Sequence, residues 1–163
     1  MTSVCKLRPE SRGFVRITSS DPAVPPAIQP RYLSARADRD TIVAGLKVMR
    51  RIMNEPVMRR YIAEERTPGP QCESDADLLA FARDTGTTVY HPTSTCRMGS
   101  DPNAVVDARL RVRGFERLRV IDASIMPTLV SGNTNAAAVM IGEKGADLVL
   151  EDAAAGAPSL LSA

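Results

Sequence analysis

The first candidate for chemistry is His91, the only histidine of the chain. It lies in the segment Tyr90–Gly99 (YHPTSTCRMG), where Pro92 restricts the preceding backbone to an extended conformation. An imidazole on such a stiff turn is suited to act as a general base. A structural histidine in a surface loop is the alternative that composition alone leaves open. A metal site is not predicted, since His91, Cys72 and Cys96 are too few and lack close ligand spacing.

A second polar cluster follows a predicted strand nearer the C-terminus. The strand Leu118–Ile121 ends at Asp122, and Ser131–Asn135 (SGNTN) then opens a predicted helix. A helix start presents unpaired backbone N–H groups to whatever lies beside it. Asn133 or Asn135 is expected to cap this helix. Because capping requires only one of the two, the other is available to face a ligand.

The elements that position these residues are predicted from apolar periodicity and proline content. Alternation at Phe14–Ile17 predicts a β-strand with one exposed face. Four prolines within residues 21–30 predict an extended connector, because proline fixes φ and removes a donor. Apolar residues recur at helical spacing over residues 38–53, which predicts an amphipathic helix with Asp38 or Asp40 as its cap.

Two shorter helices are predicted before residue 86. The first begins at Pro56 and runs to about residue 62, since proline suits the first turn of a helix. The second is opened by Ser74 and Asp77, which resemble a capping box, and runs to about residue 83.

After residue 86, short apolar strands are separated by glycine-rich and proline-rich loops. Strands are predicted at residues 105–112 and 118–121. The last helix is predicted over residues 135–150, and its apolar character indicates burial on more than one side. The tail after it is predicted to fray.

Composition disfavours several classes of protein. The chain has 163 residues, of which 44% are hydrophobic and 25% charged, as is typical of a globular protein. Its net charge of +2 gives no strong positive potential to bind the phosphate backbone of nucleic acid. No stretch of apolar residues has the length of a membrane span. Three cysteines do not form a disulfide framework, which favours a cytoplasmic location.

Three segments resemble the C-terminal part of the glucose–methanol–choline (GMC) family of FAD-dependent oxidoreductases, most of all the choline-dehydrogenase-like alcohol dehydrogenases. The segment Ser11–Arg16 resembles the strand that opens the substrate domain. The segment His91–Gly99 resembles the motif His-Pro-x-x-Thr-Cys-Lys/Arg-Met-Gly. The segment Val105–Asp147 resembles the closing segment with its last helix. Together the resemblance covers roughly residues 4–151.

The resemblance implies a role for each candidate residue. His91 matches the histidine that takes the hydroxyl proton from an alcohol while hydride passes to FAD. Asn133 matches a position, His or Asn among relatives, that hydrogen-bonds the substrate oxygen. The positions that match the surroundings of the flavin are Asp122, Ala123, Thr134 and Asn135.

The resemblance also implies a fold and a division into domains. The fold is expected to be α+β, with an antiparallel substrate-domain sheet and helices, and with a C-terminal strand and helix that belong to an incomplete FAD-binding domain. Residues 1–104 are expected to be part of the substrate-binding domain, and residues 105–151 the closing segment of the FAD-binding domain. Residues 152–163 are expected to form a disordered tail.

The chain departs from the family at the phosphate-binding turn Gly-x-Gly-x-x-Gly, since its ten glycines never fall at that spacing. The chain is therefore expected to bind FAD weakly or not at all alone. It is expected to work with an N-terminal FAD-binding region or chain, and to self-associate through uncovered apolar faces. An inactive fragment, or an interaction module that completes a separate flavoprotein, is the alternative. The expected substrate is a small-molecule alcohol, and its identity and the electron acceptor stay open.

Overall fold

The structure, a computed structural model, describes residues 2–156. The chain divides after Val89 into two compact units, which are described in turn. The loop that carries His91 therefore belongs to the same compact unit as the last helix. A compact unit need not coincide with a functional domain, so the predicted boundary between residues 104 and 105 stays a prediction.

The first unit contains an antiparallel ribbon. Strand β1 (Phe14–Arg16) pairs with strand β2 (Ala27–Gln29), and Val15 lies opposite Ile28. The predicted strand is confirmed, and the proline-rich segment is not helical, as predicted, but only residues 27–29 are a strand, since residues 21–24 form a turn closed by the N–H of Val24 and the carbonyl of Asp21 (3.1 Å). Its pairing with β1 was not predicted. The pairing is confined to the three residues between the last two prolines of the segment, which retain their N–H donors.

Helices complete the first unit. They are α1 (Arg36–Met53), α2 (Pro56–Arg59) and α3 (Asp75–Thr85). All three were predicted, and Ser74 and Asp77 form the predicted capping box of α3. Helix α1 packs against α3. The buried apolar residues of this unit's core cluster are Val43, Cys72 and Leu78.

The predicted cap of α1 is wrong, because neither Asp38 nor Asp40 caps it. Ala35 occupies that position without a side-chain hydrogen bond. Asp38 is 3% exposed and binds the N-terminal segment instead. It accepts hydrogen bonds from the backbone N–H of Glu10 (2.9 Å) and Ser11 (2.7 Å), and from the Ser11 hydroxyl (2.5 Å). The carboxylate therefore ties residues 10 and 11 to the first turn of α1.

The second unit is built mostly from loops around one long helix. A short 3₁₀ helix (Ala123–Ile125) precedes helix α4 (Asn135–Gly156), whose start was predicted. The predicted strands at residues 105–112 and 118–121 are wrong, since these segments form only isolated bridges. Positive φ values at Leu110 (62°) and Arg117 (57°) turn the backbone before a regular ladder can extend.

Loops and helix share an apolar core. Its buried residues are Val106, Leu110, Ile125, Met126, Ile141 and Leu148. Helix α4 was expected to be buried on more than one side, but Val139, Met140 and Leu150 are each more than half exposed. No helix within residues 2–156 is both long and apolar enough to span a membrane.

The predicted tail is wrong for residues 152–156, because α4 continues to Gly156. Asp152 accepts hydrogen bonds from Arg109 and Arg111, each at 2.6 Å, and from Arg119. These contacts hold the last turns of the helix, and the alanines that follow favour helix. Residues 157–163 lie outside the described residues.

Candidate active site

The loop that carries His91 is fixed to the 3₁₀ helix by backbone hydrogen bonds. The N–H of Cys96 donates to the carbonyl of Ser124 (3.0 Å), and the N–H of Met98 donates to the carbonyl of Ile125 (2.7 Å). The loop is thereby anchored a few residues after the histidine. Within the same segment, the Arg97 guanidinium pairs with the carboxylate of Asp101 at 2.6 and 2.7 Å.

The backbone around His91 adopts a conformation that side chains disfavour. Tyr90 has a φ of 60° and Ser94 a φ of 72°, both in the left-handed region. A non-glycine residue in such a region costs of order 1–3 kcal/mol, and such residues cluster at functional sites. The turn was predicted to be stiff from Pro92, and these angles add a second constraint on the position of the histidine.

The side chain of His91 reaches the start of helix α4. Its Nδ1 lies 2.7 Å from Oγ1 of Thr134, a residue that is 9% exposed. The Thr134 carbonyl accepts the N–H of Ala138 (2.9 Å), which makes Thr134 the residue that precedes the first helical turn. The expectation that Asn133 or Asn135 caps the helix is not met, since neither amide makes a hydrogen bond within the described residues. Both asparagines are exposed and available to a ligand.

Asp122 and Ala123 occupy a different local structure from the predicted strand end. Asp122 caps the 3₁₀ helix, and its carboxylate accepts the N–H of Ser124 at 2.7 Å. Its side chain is exposed, whereas Ala123 is half-buried. No hydrogen bond joins either residue to His91 or Thr134. The structure thus brings His91 together with the start of α4. Asp122 and Ala123 are linked to the histidine loop only through backbone hydrogen bonds of the 3₁₀ helix.

An apolar groove of about 210 Å³ lies between the 3₁₀ helix and the first turns of α4. Its lining includes Met98 from the histidine loop, Ile125, and Ala137 and Met140 from α4. None of the polar candidate residues lines this groove. Within residues 2–156 no group of three or more His, Cys, Asp and Glu side chains is arranged to hold a metal ion.

Thr134 was predicted from the sequence as a cofactor-binding residue, but its contact with His91 was not predicted. The two residues are 43 positions apart, and a threonine next to two asparagines gives no local sign of a distant partner. A contact of this kind requires the path of the whole loop from residue 91 to residue 134 to be known.

The comparisons identify the family. The model of the GMC oxidoreductase C-terminal region matches residues 9–142, and the chain belongs to this family. The chain is 46% identical over 147 residues to an alcohol dehydrogenase [acceptor] of Pseudomonas putida, and this match covers 90% of the chain and 27% of the relative. It is 47% identical over 146 residues to an oxygen-dependent choline dehydrogenase of Klebsiella pneumoniae, which covers 90% of the chain and 26% of that relative.

Solved structures agree with this assignment. Pyridoxine 4-oxidase from Mesorbium loti superposes with a TM-score of 0.84 at 37% identity, over 89% of this chain and 28% of the other. An FAD-dependent oxidoreductase from Chaetomium thermophilum superposes with a TM-score of 0.82 at 30% identity, over 90% of this chain and 26% of the other. The chain spans about a quarter of the length of the proteins it matches.

Proposed function

We propose that the chain supplies the substrate-side part of an FAD-dependent, choline-dehydrogenase-like alcohol dehydrogenase, which oxidises the CH–OH group of a small molecule. The observation that most supports this proposal is the 2.7 Å contact between His91 Nδ1 and Thr134 Oγ1. It holds the single imidazole of the chain against Thr134, the residue that follows Asn133. A base and a hydrogen-bonding amide are thereby brought to the same helix start.

His91 acts as the general base in this proposal. Because Thr134 engages Nδ1, Nε2 is the nitrogen left to accept the hydroxyl proton of the alcohol. The alcohol carbon gives up hydride readily only as this proton leaves, and the product is a carbonyl compound. A positioned general base contributes typically about 10²- to 10⁴-fold in rate.

Asn133 stabilises the oxygen that His91 deprotonates. Its exposed amide makes no hydrogen bond within the described residues, so the N–H₂ group is available to donate to an oxygen that gains negative charge. A neutral amide is not basic enough to compete with the imidazole for the proton. The contribution of Asn133 is therefore expected to be smaller than that of His91.

The start of helix α4 fits the flavin part of FAD. The first N–H groups of a helix lack intrahelical partners and carry positive partial charge, which suits an electron-rich ring edge. The residues proposed to hold FAD here are Asp122, Ala123, Asn135 and the backbone N–H of Thr134. When bound, FAD supplies the acceptor for the hydride that leaves the alcohol carbon.

The N-terminal FAD-binding region of the relatives is the proposed partner of this chain. The chain spans about a quarter of those proteins, and it leaves uncovered the apolar groove together with Val139, Met140 and Leu150 of α4. Alone, the chain is expected to bind FAD weakly or not at all and to self-associate through these surfaces. A cytoplasmic location is proposed because the three cysteines, all free in the structure, number too few for a disulfide framework.

The same uncovered apolar surfaces favour a second candidate function. In it the chain is catalytically inactive and only completes a separate flavin-binding chain. The two candidates differ in whether His91 carries chemistry, and a test of that residue separates them.

The test uses a chimaera in which this chain replaces the matching C-terminal part of the Pseudomonas putida relative. The bleaching of oxidised flavin on mixing with an alcohol measures the chemical step. His91→Ala should slow bleaching by about 10²- to 10⁴-fold, and Asn133→Ala by less. Cys96→Ser is the control from the same loop, since the half-buried Cys96 has no redox or metal partner and should change little. Near-parental bleaching by His91→Ala in a chimaera that bleaches normally would refute the assignment of the base.

A further inference from the structure

Thr134 departs from the usual behaviour of a residue at a helix start. Threonine at this position commonly accepts a backbone N–H from the first turn. Here the Thr134 hydroxyl oxygen lies 2.7 Å from the ring of His91, and the backbone carbonyl takes the N–H of Ala138. Thr134 is 9% exposed and His91 is half-buried, so the contact is partly shielded from water. The hydroxyl is therefore placed to act on the histidine.

Two arrangements of hydrogens satisfy the 2.7 Å distance, since a hydroxyl both donates and accepts. In the first, Nδ1–H of His91 donates to Oγ1, and Nε2 keeps a free lone pair. In the second, the Thr134 hydroxyl donates to Nδ1, and Nε2 carries the hydrogen. A neutral ring in the second arrangement can only donate from Nε2, so it cannot take a proton there.

We infer that Thr134 is a positioning residue, whose Oγ1 accepts Nδ1–H and thereby fixes the tautomer and orientation of His91 with Nε2 free. This inference rests on the proposed function, which requires Nε2 as the base. When Nε2 takes the hydroxyl proton, the ring becomes a cation that donates from both nitrogens. The bond from Nδ1–H to Thr134 is the same before and after this transfer, so no hydroxyl has to rotate as charge develops.

The surroundings of the pair support a fixed geometry. Thr134 adjoins the 22-residue helix α4, and regular elements hold a side chain more precisely than loops do. His91 is held from the other side by left-handed Tyr90 and Ser94 and by the anchored loop that follows. The hydrogen bond joins these two supports and removes the remaining freedom of ring rotation.

The test is ¹⁵N NMR of the ring nitrogens in the full chain, at a pH at which the imidazole is neutral. With one histidine in the sequence, the spectrum contains a single ring and needs no assignment by mutation. We expect the parent chain and Thr134→Ser, which keeps the hydroxyl, to show Nδ1 protonated. Thr134→Val, which replaces the hydroxyl by a methyl group, should lose this preference. A parent ring protonated at Nε2 overturns the inference without any variant, and so does a Thr134→Val chain with an unchanged tautomer.

A kinetic measurement in the chimaera tests the consequence for catalysis. Thr134→Val should slow flavin bleaching on the order of tenfold, as loss of one neutral hydrogen bond to the base predicts, and Thr134→Ser should restore it. An equal rate for Thr134→Val and the parent overturns the positioning role. If instead His91→Ala leaves bleaching unchanged while the parent ring is protonated at Nδ1, the proposed base fails and the hydrogen-bond assignment stands.

Discussion

Asp38 in the first unit and Asp152 in the second both have a pKa lowered from the ordinary 3.8 to about 2, but they reach it differently. Burial alone would raise the pKa of Asp38. Hydrogen bonds from the Ser11 hydroxyl and from the backbone N–H groups of Glu10 and Ser11 overcome this effect. For Asp152 the largest cause is the hydrogen bond from Arg111, and its side chain is 30% exposed.

The comparison shows that equal pKa values do not imply equal contributions to stability. The Asp38 carboxylate is itself buried and accepts two partly buried backbone N–H groups, which lose their acceptor if the carboxylate is removed. Two of the three partners of Asp152, Arg109 and Arg111, are well exposed and only Arg119 is less so, and exposed ion pairs contribute little. The first unit should therefore depend strongly on one carboxylate, and the second only weakly.

The largest effect is expected for Asp38→Ala. It should lower the free energy of unfolding of the first unit by about 3 kcal/mol, because it removes a buried acceptor that holds the N–H groups of Glu10 and Ser11 and the Ser11 hydroxyl. Amide hydrogen exchange of residues 2–89, read by mass spectrometry, measures this loss separately from the second unit. The matched control is Asp40→Ala on the same helix, since Asp40 is exposed and, among residues 2–156, pairs only with Arg36 at 3.4 Å. Equal losses for the two variants would contradict the role of Asp38.

The stability of the first unit should also depend on pH through Asp38. A pKa lowered on folding means that the folded state holds the charged form, so this stability is fully present above about pH 4. It is lost as the pH falls from about 4 toward 2. The expected loss is about 2 kcal/mol, from a shift of about two pKa units for a buried group. Hydrogen exchange across this range should show the loss in the parent chain, and a parallel loss in Asp38→Asn would assign it to other groups.

A third effect concerns how tightly helix α4 meets its loops. A Cβ at Gly145 would collide with the side chain of Ile121, whereas Gly142 on the same helix faces open space. Gly145→Ala should destabilise the second unit by about 1 kcal/mol, as overpacking outweighs the gain in helix propensity. Gly142→Ala should stabilise it by about 0.5–1 kcal/mol. Thermal unfolding of both variants checks the pair, and stabilisation by Gly145→Ala would show that Ile121 moves aside freely.

Sequence patterns predicted what is local. The capping box at Ser74 and the period of α1 involve neighbours within one helix, and both were confirmed. Asp38 was predicted as a possible cap from its residue type and its place at the helix start. The prediction failed because its partners, Glu10 and Ser11, are 28 and 27 positions away. No local pattern indicates a contact over such a separation.

In the candidate site, too, local motifs were predicted from the sequence and distant contacts were not. His91 and Asn133 were predicted as site residues from motifs that resemble a family; the family was confirmed, and the roles of the two residues stay a prediction. The bond from His91 to Thr134 was missed, since it depends on the path of the loops between them. Residues 105–121 have strand-like composition, but their backbone turns too often to form a ladder. Their structure is set by packing against α4 rather than by propensity.

The smallest effect is expected for Asp152→Asn. Its dependence on salt concentration should distinguish Asp152 from Asp38. The variant removes the charge that Arg109, Arg111 and Arg119 share, so the last turns of α4 should exchange their amides faster at low salt. Near 1 M salt the screening length is about 3 Å, and most of this difference should disappear. Asp147→Asn is the control on the same helix, since Asp147 is exposed and lies 3.8 Å from a lysine with which it forms an ion pair. It should have less effect at any salt concentration. The effect of Asp38→Ala arises chiefly from hydrogen bonds of backbone N–H groups to a buried carboxylate, with a smaller part from the ion pair with Lys6, so most of it should persist in high salt. If Asp152→Asn proved equally insensitive to salt, the arginine cluster would be acting as a buried network, and the contrast between the two units would fail.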